Sequence, residues 1–293
     1  MTAASMDSLR LTDLSPVHAA AVSRLSALAG GNRTVDDWRF LLARGTGVGM
    51  VDADGAPVAA ATALPYGRFA WIGPAPVAPD WRGQGIAALL AAEVVRRQEA
   101  AGRAPGLDAT VDGRRACRRA GFRDLYRLGY YRAEAASPPP ESAEPPDSGR
   151  PRVRRLAAAD LEAVSLMDRR LFGADRLELL HHLRRRQPQA AFAAFRDGRL
   201  SGYVLARDGR EAVQVGPLAA TGDDVARALA AAALGAVREP VRIDVADARR
   251  GLIEWLQASG FVLQWPLVRM VRSRKAGFGD PALLYATAGP DLG

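Results

Sequence analysis

The run Val77-Ala78-Pro79-Asp80-Trp81-Arg82-Gly83-Gln84-Gly85-Ile86-Ala87 decides how this chain is read. Before it stands an apolar stretch, residues 69–77, with the composition of a strand; after it an Ala/Leu/Val run, residues 85–101, with that of a helix. The start of a helix leaves backbone N–H groups unpaired and carries partial positive charge. Gly83 and Gly85 have no Cβ, so an anion can approach the backbone there. Arg82 adds a charged donor, and no acidic residue lies between Arg82 and Ala92 to compete for the helix start. Such a mouth suits a diphosphate. The spacing is not the Gly-x-x-x-x-Gly-Lys of nucleoside triphosphate loops.

Working outward, the pattern alternates strands and helices. Residues 9–11 read as a strand and 16–28 as a helix begun by Ser15 and Pro16. Thr34 reads as the N-cap of a helix over 35–43. Residues 48–51 and 57–64 are strands joined by Asp52-Ala53-Asp54-Gly55, a hairpin turn. After the long helix come a strand (106–110), a helix (113–120) ended by Gly121, and a strand (122–133). Residues 134–151 hold six prolines and no large apolar side chain, which makes them a linker between domains.

The second half repeats this order. Strands are expected at 153–156, 190–195, 200–206, 211–218, 241–245 and 261–271, with a further one at 282–287. Helices are expected at 160–171, 175–186, 223–237 and 251–258. Ile72-Gly73-Pro74 matches Val215-Gly216-Pro217, Leu107-Asp108-Ala109 matches Ile243-Asp244-Val245, and Ala120-Gly121-Phe122 matches Ser259-Gly260-Phe261, at offsets of 143, 136 and 139 residues. Two copies of one α/β domain, residues 1–133 and 152–293, account for this. The copies differ at the mouth: the second has Thr221-Gly222-Asp223-Asp224. Two carboxylates at a helix start satisfy its charge and repel a diphosphate. The second copy is therefore expected not to bind the anion, and to serve as an acceptor wall or a homodimer surface instead.

Composition narrows the function classes. The formal charge is +8 and the pI about 10.4, but Lys275 is the only lysine. An Ala/Arg-rich, Lys-poor chain reflects base composition more than nucleic-acid binding, and no helix-turn-helix, zinc or aromatic–basic RNA motif is present. The arginine pairs 114–115 and 118–119, the run 184–186, and His18, His181 and His182 read as solvated helix faces. One cysteine, Cys117, allows neither an internal disulfide nor a cysteine zinc site, so no metal is expected. With no signal pattern and no stretch long enough to span a bilayer, a cytoplasmic protein is expected.

Arg82-Gly83-Gln84-Gly85-Ile86-Ala87 resembles the Arg/Gln-x-x-Gly-x-Gly/Ala pattern of the GCN5-related N-acetyltransferases, the GNAT superfamily. The Val-x-Pro at 77–79 and the Gly121-Phe122 about 35 residues on strengthen the likeness. The whole chain resembles a tandem GNAT protein whose second half is a YitH-type acetyltransferase domain, a likeness to which the ending Tyr285-Ala286-Thr287-Ala288-Gly289-Pro290 adds. The fold this implies is α/β: two tandem domains, each a mixed, mostly antiparallel sheet flanked by helices and splayed after its fourth strand. In the family, acetyl-CoA is the co-substrate and its pantetheine arm lies in the splay, which puts Ala75, Pro76 and Val77 beside it. Pro76 has no N–H, so Val77 N–H becomes the donor to the thioester oxygen.

The resemblance further implies direct attack of an amine on the acetyl carbonyl, with a base for the amine proton and an acid for the thiolate. In the family the acid is often a tyrosine four residues before the Gly-Phe; here Cys117 stands at that position. Either the thiol donates, or Cys117 is a small helix residue and the acid is water, Tyr66, Tyr126 or none. The family's Asn after the fifth strand is replaced near Thr110. No base is fixed; Asp36, Asp37 and Asp108 are candidates, and Asp37, Trp38 and Asp108 are placed on the acceptor side. These departures keep a second reading open, a non-catalytic acyl-CoA-binding module.

Overall fold

The computed structural model describes residues 6–136 and 150–293, so most of the expected linker (137–149) lies outside the described residues. The strands are β1 (Arg10–Leu14), β2 (Thr46–Val51), β3 (Pro57–Tyr66), β4 (Phe69–Ile72), β5 (Ala104–Thr110), β6 (Arg123–Ala133), β7 (Arg152–Arg155), β8 (Phe192–Arg196), β9 (Arg199–Arg207), β10 (Val213–Ala220), β11 (Val241–Ala246), β12 (Val262–Val271) and β13 (Leu284–Ala286). The helices are α1 (Ala19–Leu28), α2 (Val35–Arg44), α3 (Ile86–Ala100), α4 (Val111–Arg119), α5 (Leu161–Phe172), α6 (Leu177–Arg186), α7 (Asp223–Gly235) and α8 (Arg250–Ala258). The expected α/β class and the order of elements hold. The expected fourth strand to residue 77 is shorter, because Pro74 and Pro76 cannot continue a two-sided ladder.

All strands join one sheet in the order β1-β2-β3-β4-β5-β12-β6-β11-β13-β10-β9-β8-β7. The halves exchange strands: β12 of the second half pairs with β5 of the first, while β6 of the first pairs with β11 of the second. β6 and β12 then run antiparallel beside each other. Leu128 and Leu267 face one another in that pair and are 139 residues apart, the offset of the Phe122/Phe261 match. The centre of the repeat's symmetry therefore lies between these two leucines. Within each half β4–β5 and β10–β11 are parallel and the remaining neighbours antiparallel.

Helices cover both faces. On one face α1, α2, α5 and α6 form a single core with Trp38, Trp71, Phe172 and Tyr203. On the other, α3 and α4 pack on the first half and α7 and α8 on the second, in separate cores. α3 shows why sequence suffices locally: Ile86, Leu90, Val94 and Gln98 are buried at four-residue spacing, and Glu93 pairs with Arg96 and Arg97 on the exposed side.

On α6, Arg185 and His181 are exposed as expected, but Arg186 and His182 are not the solvated residues expected of them. Arg186 reaches Asp37 at 2.8 Å and Asp208 at 2.5 Å, and His182 stacks on Phe40 at 4.4 Å. Burial, with Arg186 alongside, pushes the imidazole pKa down to about 4. Arg186 of α6 thus bonds both within its own half and to α2 of the other.

Candidate functional site

The mouth of α3 is open. Gly83 and Gly85 sit at φ +79° and +81°, and a Cβ at either would meet nothing within 4 Å. The backbone path, not crowding, requires glycine there. The first main-chain bond into the helix runs from Leu89 N–H to Gly85 at 3.0 Å, and the N–H groups of residues 83–88 have no partner among the described residues. No acidic side chain stands in the first turn. Arg82 holds the loop in place: its Nε donates to Val77 O at 3.1 Å and an Nη to Leu28 O at 2.8 Å. The side chain expected to contact the anion thus clamps the loop to the end of α1.

A gap in the sheet leads to this mouth. β4 and β5 pair as far as Trp71 opposite Gly106 and then part. Beyond that point residues 73–78 stay with β3, through Gly73 N–H to Thr62 O (2.9 Å), Ala60 N–H to Pro76 O (3.1 Å) and Ala78 N–H to Val58 O (2.8 Å). β5 stays with β12 up to Thr110 opposite Leu267. In this antiparallel alternation Val77 N–H points away from β3, and it has no partner among the described residues. Ala75, Val77 and Ala87 share one apolar cluster with Cys117. Burial pushes the Cys117 thiol pKa up, so it is a neutral group at the side of this cluster.

The equivalent gap in the second half is closed. β10 and β11 pair at Val213–Val215 and Val241–Ile243, and β13 then wedges between them, with Ala286 facing both Leu218 and Val245. The α7 start carries Asp223 and Asp224. Tyr285 of the wedge donates its hydroxyl to Asp223 at 2.6 Å, and Asp224 pairs with Arg196. The strand expected near 282–287 is therefore a plug in its own half's cleft.

The remaining expected site residues fall elsewhere. Tyr66 is buried at the far end of β3; its hydroxyl donates to Leu292 O at 2.9 Å, and burial raises its pKa strongly. Tyr126 accepts from Arg269 at 3.3 Å, and Arg269 grips Asp108 at 2.8 and 2.9 Å while its guanidinium lies 4.3 Å from the Trp71 ring. Asp37 closes a capping box with Thr34 and pairs with Arg186 and Arg207, both of the second half. Trp38 is fully buried below it. Asp37, Trp38 and Asp108 thus join the halves rather than face a cavity. The arginine partners of Asp37 and Asp108 lie between 149 and 170 residues away, a separation that no local sequence signal reports.

An Acetyltransferase (GNAT) family model matches residues 23–130, and an Acetyltransferase (GNAT) domain model matches residues 164–286. No curated protein sequence matches the chain. Among solved structures, a proposed acetyltransferase from Pyrococcus horikoshii superposes with TM-score 0.74 at 19% identity, over 100% of this chain and 99% of that one. A GCN5-related N-acetyltransferase from Sphaerobacter thermophilus gives 0.65 at 16%, over 94% and 99%. The tandem GNAT protein from the clavulanic acid biosynthesis pathway gives 0.60 at 18%, over 93% and 99%. At such identities the likeness is one of fold. The two family models together span well over half of the sequence, and the chain belongs to the GNAT acetyltransferase family, as an acetyltransferase with two GNAT domains in tandem.

Proposed function

We propose that the protein transfers an acetyl group from acetyl-CoA to an amine, and that only the first half binds the co-substrate. The observation carrying this is the contrast between the two helix mouths. That of α3 is bare, with glycines over open space, while that of α7 holds two aspartates and faces a plugged cleft. In this reading residues 1–133 form the acetyl-CoA domain, 134–151 the linker and 152–293 a copy that has lost the site. The N–H groups and side chains of Arg82, Gly83, Gln84, Gly85, Ile86 and Ala87 hold the diphosphate. Ala75, Pro76 and Val77 flank the pantetheine arm, and Val77 N–H is free to donate to the thioester oxygen. The amine nitrogen attacks the acetyl carbonyl, the new C–N bond forms and the C–S bond breaks. The amine proton passes to a base, and the sulfur leaves as thiolate and takes up a proton.

Differential scanning fluorimetry with acetyl-CoA, followed by thiol release over an amine panel, tests this. A rise in melting temperature that desulfo-CoA also produces, together with amine-dependent thiol release, is expected. No rise at millimolar acetyl-CoA overturns binding. A rise without thiol release favours a non-catalytic acyl-CoA-binding module, a reading motivated by the neutral Cys117 at the position of the family's acid.

A further inference from the structure

Two cavities open on the face that carries α1, α2, α5 and α6. One, of 370 Å³, is lined by Arg176 and Arg269, and both guanidinium groups are already ion-paired, with Asp168 and Asp108. The other, of 560 Å³, lies where β6, β11 and β12 meet the α1–α2 connection at Gly30 and Asn32. It is within the range of small-molecule pockets.

The larger cavity is lined by the part of β12 that lies beyond the end of β5, the end at which β4 and β5 part. β12 pairs with β5 only as far as Leu267 opposite Thr110, so its residues Val262–Trp265 run on past the end of β5. The α1–α2 connection is tied to the loop at the α3 mouth by the bond from Arg82 to Leu28 O. Strand exchange makes the cavity a joint product: Tyr130, Arg132 and Glu134 come from the first half, Glu211, Arg242 and Trp265 from the second.

Its charged groups gather on β6 and β11, and its aromatic groups toward β12. Arg242 lies with its guanidinium carbon 4.3 Å from the centre of the Tyr130 ring. Its Nε is buried without a hydrogen-bond partner, and no ion pair reaches it among the described residues. Asp244, two residues along β11, feels its charge without forming an ion pair. The guanidinium lines the cavity with no carboxylate on it, and a planar carboxylate matches its donors. Beside it, Arg132 stands directly opposite Arg242 in the β6–β11 pair; it pairs with Glu134 at 2.7 Å and stands 3.9 Å from Glu211. On the β12 side Tyr130 and Trp265 lie with ring centroids 4.4 Å apart and planes tilted by 55°, and Trp265 keeps 46% of its surface exposed.

We propose that this cavity receives the acceptor, and that the acceptor is a small amine that also carries a carboxylate. Arg242 takes the carboxylate, the Tyr130–Trp265 pair covers the apolar middle, and the amine end is left toward the gap. This rests on the acetyl-transfer reading above, whose bond changes it leaves unaltered.

The test uses the full chain with acetyl-CoA and matched pairs: phenylalanine with phenethylamine, and 4-aminobutyrate with butylamine. Thiol release gives kcat and KM, and calorimetry with desulfo-CoA present gives binding without turnover. At least one acid-bearing amine is expected to exceed its acid-free partner about tenfold or more in kcat/KM. Arg242→Met should raise KM for that amine by a similar factor, chiefly in KM, and leave the acid-free partner as it was; Arg242→Lys should recover part of the loss. Unfolding curves confirm that both variants fold. Acid-free amines turned over as well as their partners, an equal effect of Arg242→Met on both, or no binding and no turnover across the panel each overturn the proposal. Arg242-dependent binding without thiol release keeps this pocket and overturns acetyl transfer. Turnover of acid-free amines alone does the reverse.

Discussion

Replacing Ala88 by Asp separates anion binding from helix stability. Ala88 is exposed in the first turn of α3, and its N–H is one of the unpartnered donors. A carboxylate there complements the helix start and should stabilise the unliganded chain by about 0.3–1 kcal/mol. Toward a diphosphate it is repulsive: two charges at roughly 5 Å in a solvent-like medium oppose it by about 2 kcal/mol, or about thirtyfold in Kd. At an acetyl-CoA concentration about 100 times the wild-type Kd, ligand stabilisation falls from about 2.7 to about 0.9 kcal/mol. For a domain of this class that is a melting shift of roughly 5–10 °C reduced to roughly 2–3 °C. Scanning fluorimetry of both proteins with and without acetyl-CoA reads it directly. The reasoning fails if the variant keeps the full shift. It also fails if the shift is unaffected here and disappears instead on changing Asp223 or Asp224.

Four further outcomes follow. Asp37→Ala leaves Arg186 and Arg207 without their shared carboxylate and should cost about 3–5 kcal/mol in urea unfolding, far more than a surface change. Asp244 is buried, its Oδ1 has no partner, and its pKa is raised to about 6 by burial. A carboxyl whose folded pKa exceeds its unfolded value holds its proton longer when folded, so stability should fall as pH rises from about 4 to about 6. Asp244→Asn should remove that slope and stabilise the chain at pH 8 by up to about 3 kcal/mol, its amide donating to the unpartnered Gln214 Oε1. Cys117, whose thiol pKa burial raises, should react slowly with iodoacetamide at pH 7 and faster toward alkaline pH, and Cys117→Ala should leave acetyl-CoA binding intact. Val77→Pro removes the free N–H at the gap and should lower kcat by about 100-fold with little change in the melting shift.

Much of this molecule is written in short stretches. The strand-turn-helix at 69–100, the glycines at 83 and 85, the Thr34–Asp37 cap and the aspartates at 223–224 depend on residues within one turn of each other. Their physics is local: backbone dihedrals, capping and helix charge act over a few residues, so the sequence by itself determined the elements, the duplication and which copy keeps an open mouth. It did not determine which copy's strand fills which place. β6 and β12 carry the same alternation and descend from the same repeat position, and a backbone ladder accepts either. Only tertiary packing placed β12 beside β5, drove β13 into the second cleft, and turned Asp37, Trp38 and Asp108 from acceptor-side expectations into contacts between halves. Arg242 illustrates the same limit. On the strand it is one arginine among many, and it becomes an unpaired cation in a cavity only because three strands of two different halves meet beside it.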